Sequence, residues 1–443
     1  MAACGLYRTR TSSAYVGRLW QRAFASASGA AGAGQPQDED GARKRIIFLG
    51  TPQVAALVLE QLLSAAAAPG SNFEVAAVVT RPSGRPAGPS SPSAQAALAP
   101  GDTPHHQQLQ GATAGLPPPP SPSSPSSSSR RKAVEPSAVE QLARQCGLPP
   151  DRILCPASAR EPAFLDAVRH LRPSLAITAA YGCMLPQSFL DIPRYGTLNI
   201  HPSLLPRYRG PAPVQRALQD GCSATGVSLV FSVLRCDAGP LLEQQQVAVP
   251  PDVQAPQLTE QLFRRGAEML LRQLPRVLSG EVGAAQAAPQ DEAAATYAPK
   301  VVKQEAQLDL SLPALAVHNH VRALADWPGS RCTLMLEARE TGALQPLEVR
   351  LLRTRVVPPP LQASWTPRGA LPPGTRAQVL VSPAGELLVP CGDGNMLQVL
   401  EVGRKAGGVG APSSSSSSPR PSAKSLTPRE FIAGLSKRRV FVP

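Results

Sequence analysis

Residues 45–79 read as a strand, a helix and a second strand, and that order constrains the fold more than any other stretch. Arg45-Ile46-Ile47-Phe48-Leu49-Gly50 is a short apolar run of buried-strand character. Gly50-Thr51-Pro52 turns it into a helix, with Thr51 expected as the N-cap and Pro52 at the first helical position. Val54, Leu57, Val58 and Leu62 then recur at the helical period, and Phe73 to Val79 is the next strand. Strand–helix–strand in so short a span is a βαβ unit, the building block of an α/β fold. The turn holds one glycine and not Gly-x-Gly-x-x-Gly, so the dinucleotide fingerprint is absent and a nicotinamide enzyme is disfavoured.

The alternation continues. Helices are expected over 136–145, 163–171, 214–219 and 257–278, with a strand over 174–179. Around 280–295 the chain turns Ala/Gln-rich and reads as a linker. Beyond it, a helix over 315–324 precedes short β-rich runs at 331–337, 347–353, 378–381, 387–390 and 397–402, a spacing that predicts a small barrel.

The 443 residues suffice for two or three domains. A net charge of +13 favours a polyanionic partner such as nucleic acid, although a basic arm and solvated faces would produce the same balance. The eight cysteines include no CxxC pair and no Cys/His spacing suited to zinc, so they read as reduced thiols with no metal implied. No apolar run approaches the ~20 residues that span a bilayer. Residues 1–37 contain Arg8, Arg10, Arg18 and Arg22 but no acid, which fits an organelle transit segment over 1–40. A mitochondrial destination is expected first and a plastid second. The Pro/Ser/Gln/Ala tract over 89–129 and the serine run within 411–423 lack the apolar content to fold and read as disordered insertions.

The chemistry concentrates in Asn199-Ile200-His201-Pro202-Ser203-Leu204-Leu205-Pro206-Arg207-Tyr208-Arg209-Gly210-Pro211-Ala212-Pro213. Residues two apart on a strand point to the same face, so Asn199 and His201 address one space at a strand's C-terminal end. Open α/β sheets bind ligands there. A second apolar run, 225–234, leads into Arg235-Cys236-Asp237-Ala238-Gly239-Pro240. Asp237 follows it in a turn of Asp, Gly and Pro, where a carboxylate can orient an imidazole or hold water beside it. Taken singly, His201 reads as a hydrogen-bonded structural histidine and Asp237 as a turn residue.

Together, Asn-x-His-Pro-Ser-Leu-Leu-Pro and Asp-x-Gly-Pro resemble the formyltransferases that use 10-formyltetrahydrofolate. Arg-Tyr-Arg-Gly-Pro-Ala-Pro is most similar to the branch acting on methionyl-tRNA. The resemblance implies an α/β Rossmann-like catalytic domain over 41–280, a linker over 281–295 and an OB-like β-barrel that binds tRNA over 296–443. It also implies a final helix from Arg429 to Pro443. It makes Asn199, His201 and Asp237 the catalytic group. Ser203, Leu204, Leu205 and Pro206, with Tyr181, Gly182 and Leu185 of Tyr181-Gly182-Cys183-Met184-Leu185-Pro186, would contact the folate. Arg81 and Arg85 of a basic loop, Arg130, Arg131 and Lys132 where that loop resumes, Arg207, Arg209 and Lys300 would meet the tRNA. Two departures stand out: Gln53 replaces an acidic residue after Gly-Thr-Pro, and Pro89 replaces an arginine after Arg-Pro-Ala-Gly. The implied enzyme formylates initiator methionyl-tRNA, needs no metal or membrane, and acts as a monomer. The alternatives are a folate-dependent formyltransferase of a small amine, such as glycinamide ribonucleotide or an amino sugar, and a non-catalytic RNA-binding relative.

Overall fold

The computed structural model of the chain describes residues 43–81, 135–338, 340–357, 378–381, 385–404, 424–435 and 439–442. The expected transit segment, the insertions over 89–129 and 411–423, and Arg85, Arg130, Arg131 and Lys132 lie outside the described residues.

The opening βαβ unit is β1 (Lys44–Gly50), α1 (Gln53–Ala67) and β2 (Phe73–Val79). Its cap differs from the expectation. Pro52 occupies the N-cap position, and the Thr51 hydroxyl instead donates to the Tyr181 carbonyl at 3.1 Å. With no N–H of its own, Pro52 loses nothing by sitting there, and Thr51 ties the first turn to a loop from another strand.

The remaining elements are α2 (Ala138–Gln145), β3 (Ile153–Leu154), α3 (Pro162–Leu171), β4 (Leu175–Ala179), α4 (Gln187–Leu190), β5 (Thr197–His201), α5 (Pro213–Gln219), β6 (Ala224–Phe231), β7 (Leu241–Ala248) and α6 (Ala255–Leu278). The sheet order is β3-β2-β1-β4-β5-β6-β7. The five strands from β3 to β5 run parallel, and β6 and β7 are antiparallel. The chain winds outward from β1 through β2 to β3, then returns to β4 on the other side of β1. That reversal is a topological switch point, the region outside the strand C-termini where open α/β sheets bind ligands. Leu59, Leu62 and Leu63 of α1 and Leu258, Leu262 and Leu270 of α6 cover the same buried cluster on one face of the sheet. Gly266 lets α6 approach closely, since a Cβ there would fall 2.4 Å from Ile200 Cγ2 of β5.

The apolar run at 225–234 is not all strand. β6 ends at Phe231, and Val233 and Leu234 are exposed in the following loop. β7 escaped the sequence reading because Glu-Gln-Gln-Gln lacks β character. Its alternating exposure is that of a polar edge strand, which discourages further pairing.

The elements of the second domain are α7 (Ala314–Ala323), β8 (Ser330–Glu337), β9 (Leu344–Val356), β10 (Leu380–Val381), β11 (Leu387–Pro390), β12 (Met396–Arg404), β13 (Lys424–Leu426), α8 (Pro428–Gly434) and β14 (Val440–Phe441), and Leu308 and Leu310 ahead of α7 pack into its core. The antiparallel order is β10-β11-β12-β9-β8-β14, with β13 on β12. An antiparallel bridge from Gln378 to Phe441, with Val379 N–H donating to the Val440 carbonyl, joins the two ends of this curled sheet. Closure removes the open edges, as in a small OB-like barrel. The expected final helix stops at Gly434. Val440-Phe441 instead pairs with Met335 and Leu336, because a β-branched, aromatic pair completes an otherwise open strand edge.

The junction between the domains is polar and specific. Arg216 of α5 donates to Glu305 Oε1 at 3.0 Å and to the Pro299 carbonyl, and His318 of α7 donates from Nε2 to the Pro251 carbonyl at 3.0 Å. The hydrogen-bonded Arg216 guanidinium holds the Glu305 carboxyl below its ordinary 4.5. A lowered carboxylate stabilises the fold fully above its unfolded value, and the stabilisation is lost as pH falls through the folded value. Glu305→Gln should therefore reduce the thermal midpoint at neutral pH and leave it unchanged well below pH 4. Both side chains keep some solvent contact, so the difference should amount to at most about 1 kcal/mol. Melting curves across that pH range test it; an equal loss at both ends would show that the ion pair is not responsible.

Candidate active site

β5 carries Asn199 and His201 on one face at the carboxyl end of the parallel strands. Asn199 lies in register with Thr178 on β4, and the Thr178 hydroxyl donates to Asn199 Oδ1 at 2.7 Å. A hydroxyl proton bound to Oδ1 fixes which way the amide faces. The Asn199 Nδ2 donor therefore turns towards Asp237 Oδ1, 3.4 Å away.

His201 is 4% exposed. Its Nε2 lies 3.0 Å from the Tyr208 carbonyl oxygen. A carbonyl only accepts, so Nε2 carries the proton, and Nδ1 faces Asp237 Oδ1 at 3.6 Å. Asp237 thus presents one oxygen to both the amide and the imidazole. Its other oxygen accepts from the Gly210 N–H at 2.9 Å and from the Cys236 thiol at 3.3 Å. Burial and the neighbouring Asp237 charge push the Cys236 thiol up to about 12, so it remains a protonated donor and no thiolate nucleophile forms there. Asp237 itself sits at φ +50°, in the left-handed region that Asp tolerates better than most residues.

The turn after His201 is anchored from beneath. Ser203 Oγ donates to the Arg207 carbonyl at 2.7 Å, Ser228 Oγ donates to the Ser203 carbonyl at 2.6 Å, and Gln244 Nε2 donates to the Leu205 carbonyl at 2.8 Å. Ser203 and Leu205, expected to contact folate, consequently turn inward and are 0% and 3% exposed. Leu204 and Pro206 are the half-buried members of the turn. In the neighbouring loop Tyr181 is buried, Gly182 is exposed and Leu185 is half-buried. Burial pushes the Tyr181 phenol upward, so it stays neutral. Arg81 donates to the Gly182 carbonyl at 3.4 Å, which ties it to this loop.

Among the expected tRNA contacts, Arg207 and Lys300 are exposed, and the Arg207 guanidinium lies over the Tyr208 ring. Arg209 is not available. It is 2% exposed, with both edges of its guanidinium occupied by Gln290 and Glu292. A short basic string reads as solvent-facing, but Arg209 lies between the Asp237 loop and the interdomain segment and is held by both of that segment's acceptors. Sequence reasoning missed Thr178, Gly210, Gln290 and Glu292. The first lies in an apolar strand, and the last two lie in a stretch without periodicity.

Among the described residues, no group of three or more His, Cys, Asp or Glu side chains could hold a metal ion, and no helix is long and apolar enough to cross a membrane.

Residues 44–274 match the family described as formyl transferase, and residues 300–409 match the formyl transferase C-terminal domain. The methionyl-tRNA formyltransferase of Roseiflexus castenholzii is 35% identical over 363 residues, covering 82% of this chain and 92% of that protein. That of Staphylococcus epidermidis is 30% identical over 290 residues, covering 66% of this chain and 76% of its own length. Among solved structures, an N-formyltransferase from Helicobacter canadensis, in complex with folinic acid and dTDP-3-aminofucose, has a TM-score of 0.48 at 10% identity and covers 81% of this chain and 98% of its own. HypX from Aquifex aeolicus has a TM-score of 0.43 at 18% identity over 65% of this chain, which spans 44% of that structure. With both of its domains matched and relatives 30–35% identical over 66–82% of its length, the chain belongs to the methionyl-tRNA formyltransferase family.

Proposed function

We propose that this formyltransferase moves the formyl group of 10-formyltetrahydrofolate to the α-amine of methionine esterified to an initiator tRNA, in the mitochondrion. The observation that carries the proposal is the convergence of Asn199 and His201 on one oxygen of Asp237 at the carboxyl end of the parallel strands.

The chemistry follows from the donors present. The free amine attacks the formyl carbon, forming a C–N bond and a tetrahedral oxyanion. Pre-placed donors lower the energy of that charge most in acyl transfer. The Asn199 amide holds its second N–H for the oxyanion, and His201 faces the same space with the lone pair of Nδ1. The attacking nitrogen loses a proton to water beside Asp237. The bond from carbon to N10 then breaks and N10 takes up a proton, releasing tetrahydrofolate and the formylated amine. The turn of Leu204 and Pro206 and the loop at Gly182 and Leu185 flank the same strand ends and offer the folate its surface, with Ser203, Leu205 and Tyr181 as the packed support. Arg207 and Lys300 offer cations to the acceptor stem.

A tRNA acceptor is favoured over a small amine by residues 296–443, which hold 18 Lys and Arg against 10 Asp and Glu, and by the relatives named above. The intact catalytic cluster argues against a purely RNA-binding role. The Arg-rich, acid-free residues 1–37 support mitochondrial delivery. The test has two arms. Purified protein given 10-formyltetrahydrofolate should formylate methionyl initiator tRNA in preference to elongator methionyl-tRNA, and leave free methionine and glycinamide ribonucleotide untouched. Activity on a small acceptor alone would overturn the tRNA reading. A reporter fused behind residues 1–40 should enter mitochondria; retention in the cytosol or entry into plastids would overturn the destination.

A further inference from the structure

We propose that Gln290, in the segment joining the two domains, is a positioning residue for Asp237. The proposal rests on the catalytic reading of Asp237 given above.

Asp237 is held in an unfavourable backbone conformation at the end of a loop whose preceding residues, Val233 and Leu234, are exposed. Something must fix that loop if the carboxylate is to meet Asn199 and His201 reproducibly. The Gln290 amide provides it. Its Nε2 donates to the carbonyl of Asp237 itself at 2.8 Å and to the Gly239 carbonyl at 2.7 Å, spending both amide hydrogens on either side of Ala238. Its Oε1 accepts from Arg209 Nε at 3.0 Å and Nη2 at 2.7 Å.

Arg209 extends the linkage. Its guanidinium makes a bidentate pair with Glu292, which also meets Arg235, two residues before Asp237. Its main chain pairs with the same segment through Arg209 N–H to the Thr296 carbonyl and Ala298 N–H to the Arg209 carbonyl. On either side of Arg209 are the two backbone groups that touch the catalytic cluster: the Tyr208 carbonyl that holds His201 and the Gly210 N–H that holds Asp237. The segment from Gln290 to Ala298 therefore grips both backbone supports of the site, and Gln290 is the member that reaches the Asp237 loop directly. An active site assembled within the first domain is finished by a residue from the strap leading to the second.

Two substitutions separate the two ends of the amide. Gln290→Leu removes all four hydrogen bonds. Gln290→Glu keeps an acceptor for Arg209 but sets a second acceptor against the Asp237 and Gly239 carbonyls. In the full-length protein both should lower kcat by about 10- to 100-fold, the effect of a reacting group misplaced on the ångström scale. KM for methionyl-tRNA and for folate should stay within about twofold of the parent, since uniform binding is untouched. Asp237→Asn serves as the reference, and the double variant Asp237→Asn, Gln290→Leu should be no slower than Asp237→Asn alone, because a residue acting through Asp237 has nothing further to lose. Parental kcat in Gln290→Glu overturns the positioning role, as do additive losses in the double variant. Parental kcat in Asp237→Asn would instead overturn the reading of the site itself. If Gln290→Leu does not fold, Gln290→Glu, which retains the Arg209 contact, decides the question alone.

Discussion

Replacing His201 with alanine is expected to lower the turnover of formyl transfer by about 10²- to 10⁴-fold, the range for a lost acid–base group. The geometry explains why the loss should fall on turnover. The imidazole is almost fully buried, pinned through Nε2 to the Tyr208 carbonyl and aligned at Nδ1 with Asp237. That arrangement leaves Nδ1, on the side shared with the Asn199 amide, as the position from which the ring acts. Alanine removes this ring nitrogen and also leaves the Tyr208 carbonyl without its partner, which costs about 1–3 kcal/mol if the group stays dry. Lower activity could then reflect lower stability. His201→Gln separates the two effects, since its amide can still donate to Tyr208 while the ring is gone. Single-turnover formylation at saturating folate and methionyl-tRNA, with melting curves alongside, is the measurement. Both variants should be slow, and His201→Gln should be the more stable. Turnover near the parental value in either would remove the ring from the mechanism.

What the sequence disclosed and what it hid divide along a physical line. Asn199 and His201 were legible because strand alternation is local: two residues on one strand suffice to place them on one face. Asp237 was legible as a polar residue closing an apolar strand in a Gly/Pro turn. The first βαβ unit was legible from the helical period of Val54, Leu57, Val58 and Leu62. Partnerships between distant segments were not. Gln290 meets Asp237 across 53 positions and Arg209 across 81, and nothing in an Ala/Gln/Pro stretch distinguishes a clamp from a tether. Arg209 itself sits in a basic string that looks made for phosphate, and only the fold shows its charge taken up by Glu292. Thr178 is one hydroxyl in the buried strand Leu-Ala-Ile-Thr-Ala, yet it sets the direction in which Asn199 presents its amide. β7 and β14 were missed for a related reason. Edge strands are specified by the neighbour they complete, and their own sequences can be polar or very short.

Gly239→Ala is expected to damage activity and stability together, and the reason lies in one interatomic distance. Gly239 was readable from sequence only as a turn residue between Asp237 and Pro240. In the fold, a Cβ at this position would fall 1.7 Å from the Phe231 carbonyl oxygen and 2.9 Å from its carbon. That carbonyl cannot yield readily. Phe231 is paired with Leu198 of β5, its own N–H donates to the Pro240 carbonyl, and the next N–H, of Ser232, donates to Thr197. Moving Phe231 would therefore disturb the strand that carries Asn199 and His201. The loop from Asp237 to Pro240 must move instead, and it takes with it the carbonyls held by Gln290 and the carboxylate facing His201. Forcing one methyl into so tight a contact costs about 1–3 kcal/mol of stability. A displacement of about 1 Å at Asp237 should slow turnover by about 10²-fold. The variant should still bind methionyl-tRNA with nearly parental affinity, because the exposed cations Arg207 and Lys300 do not lie in the displaced loop. Equilibrium binding, single-turnover rate and thermal midpoint measured on one preparation test all three statements. Parental turnover with alanine at this position would show that the Asp237 loop tolerates displacement, and with it the claim that catalysis depends on holding that carboxylate in place would fall.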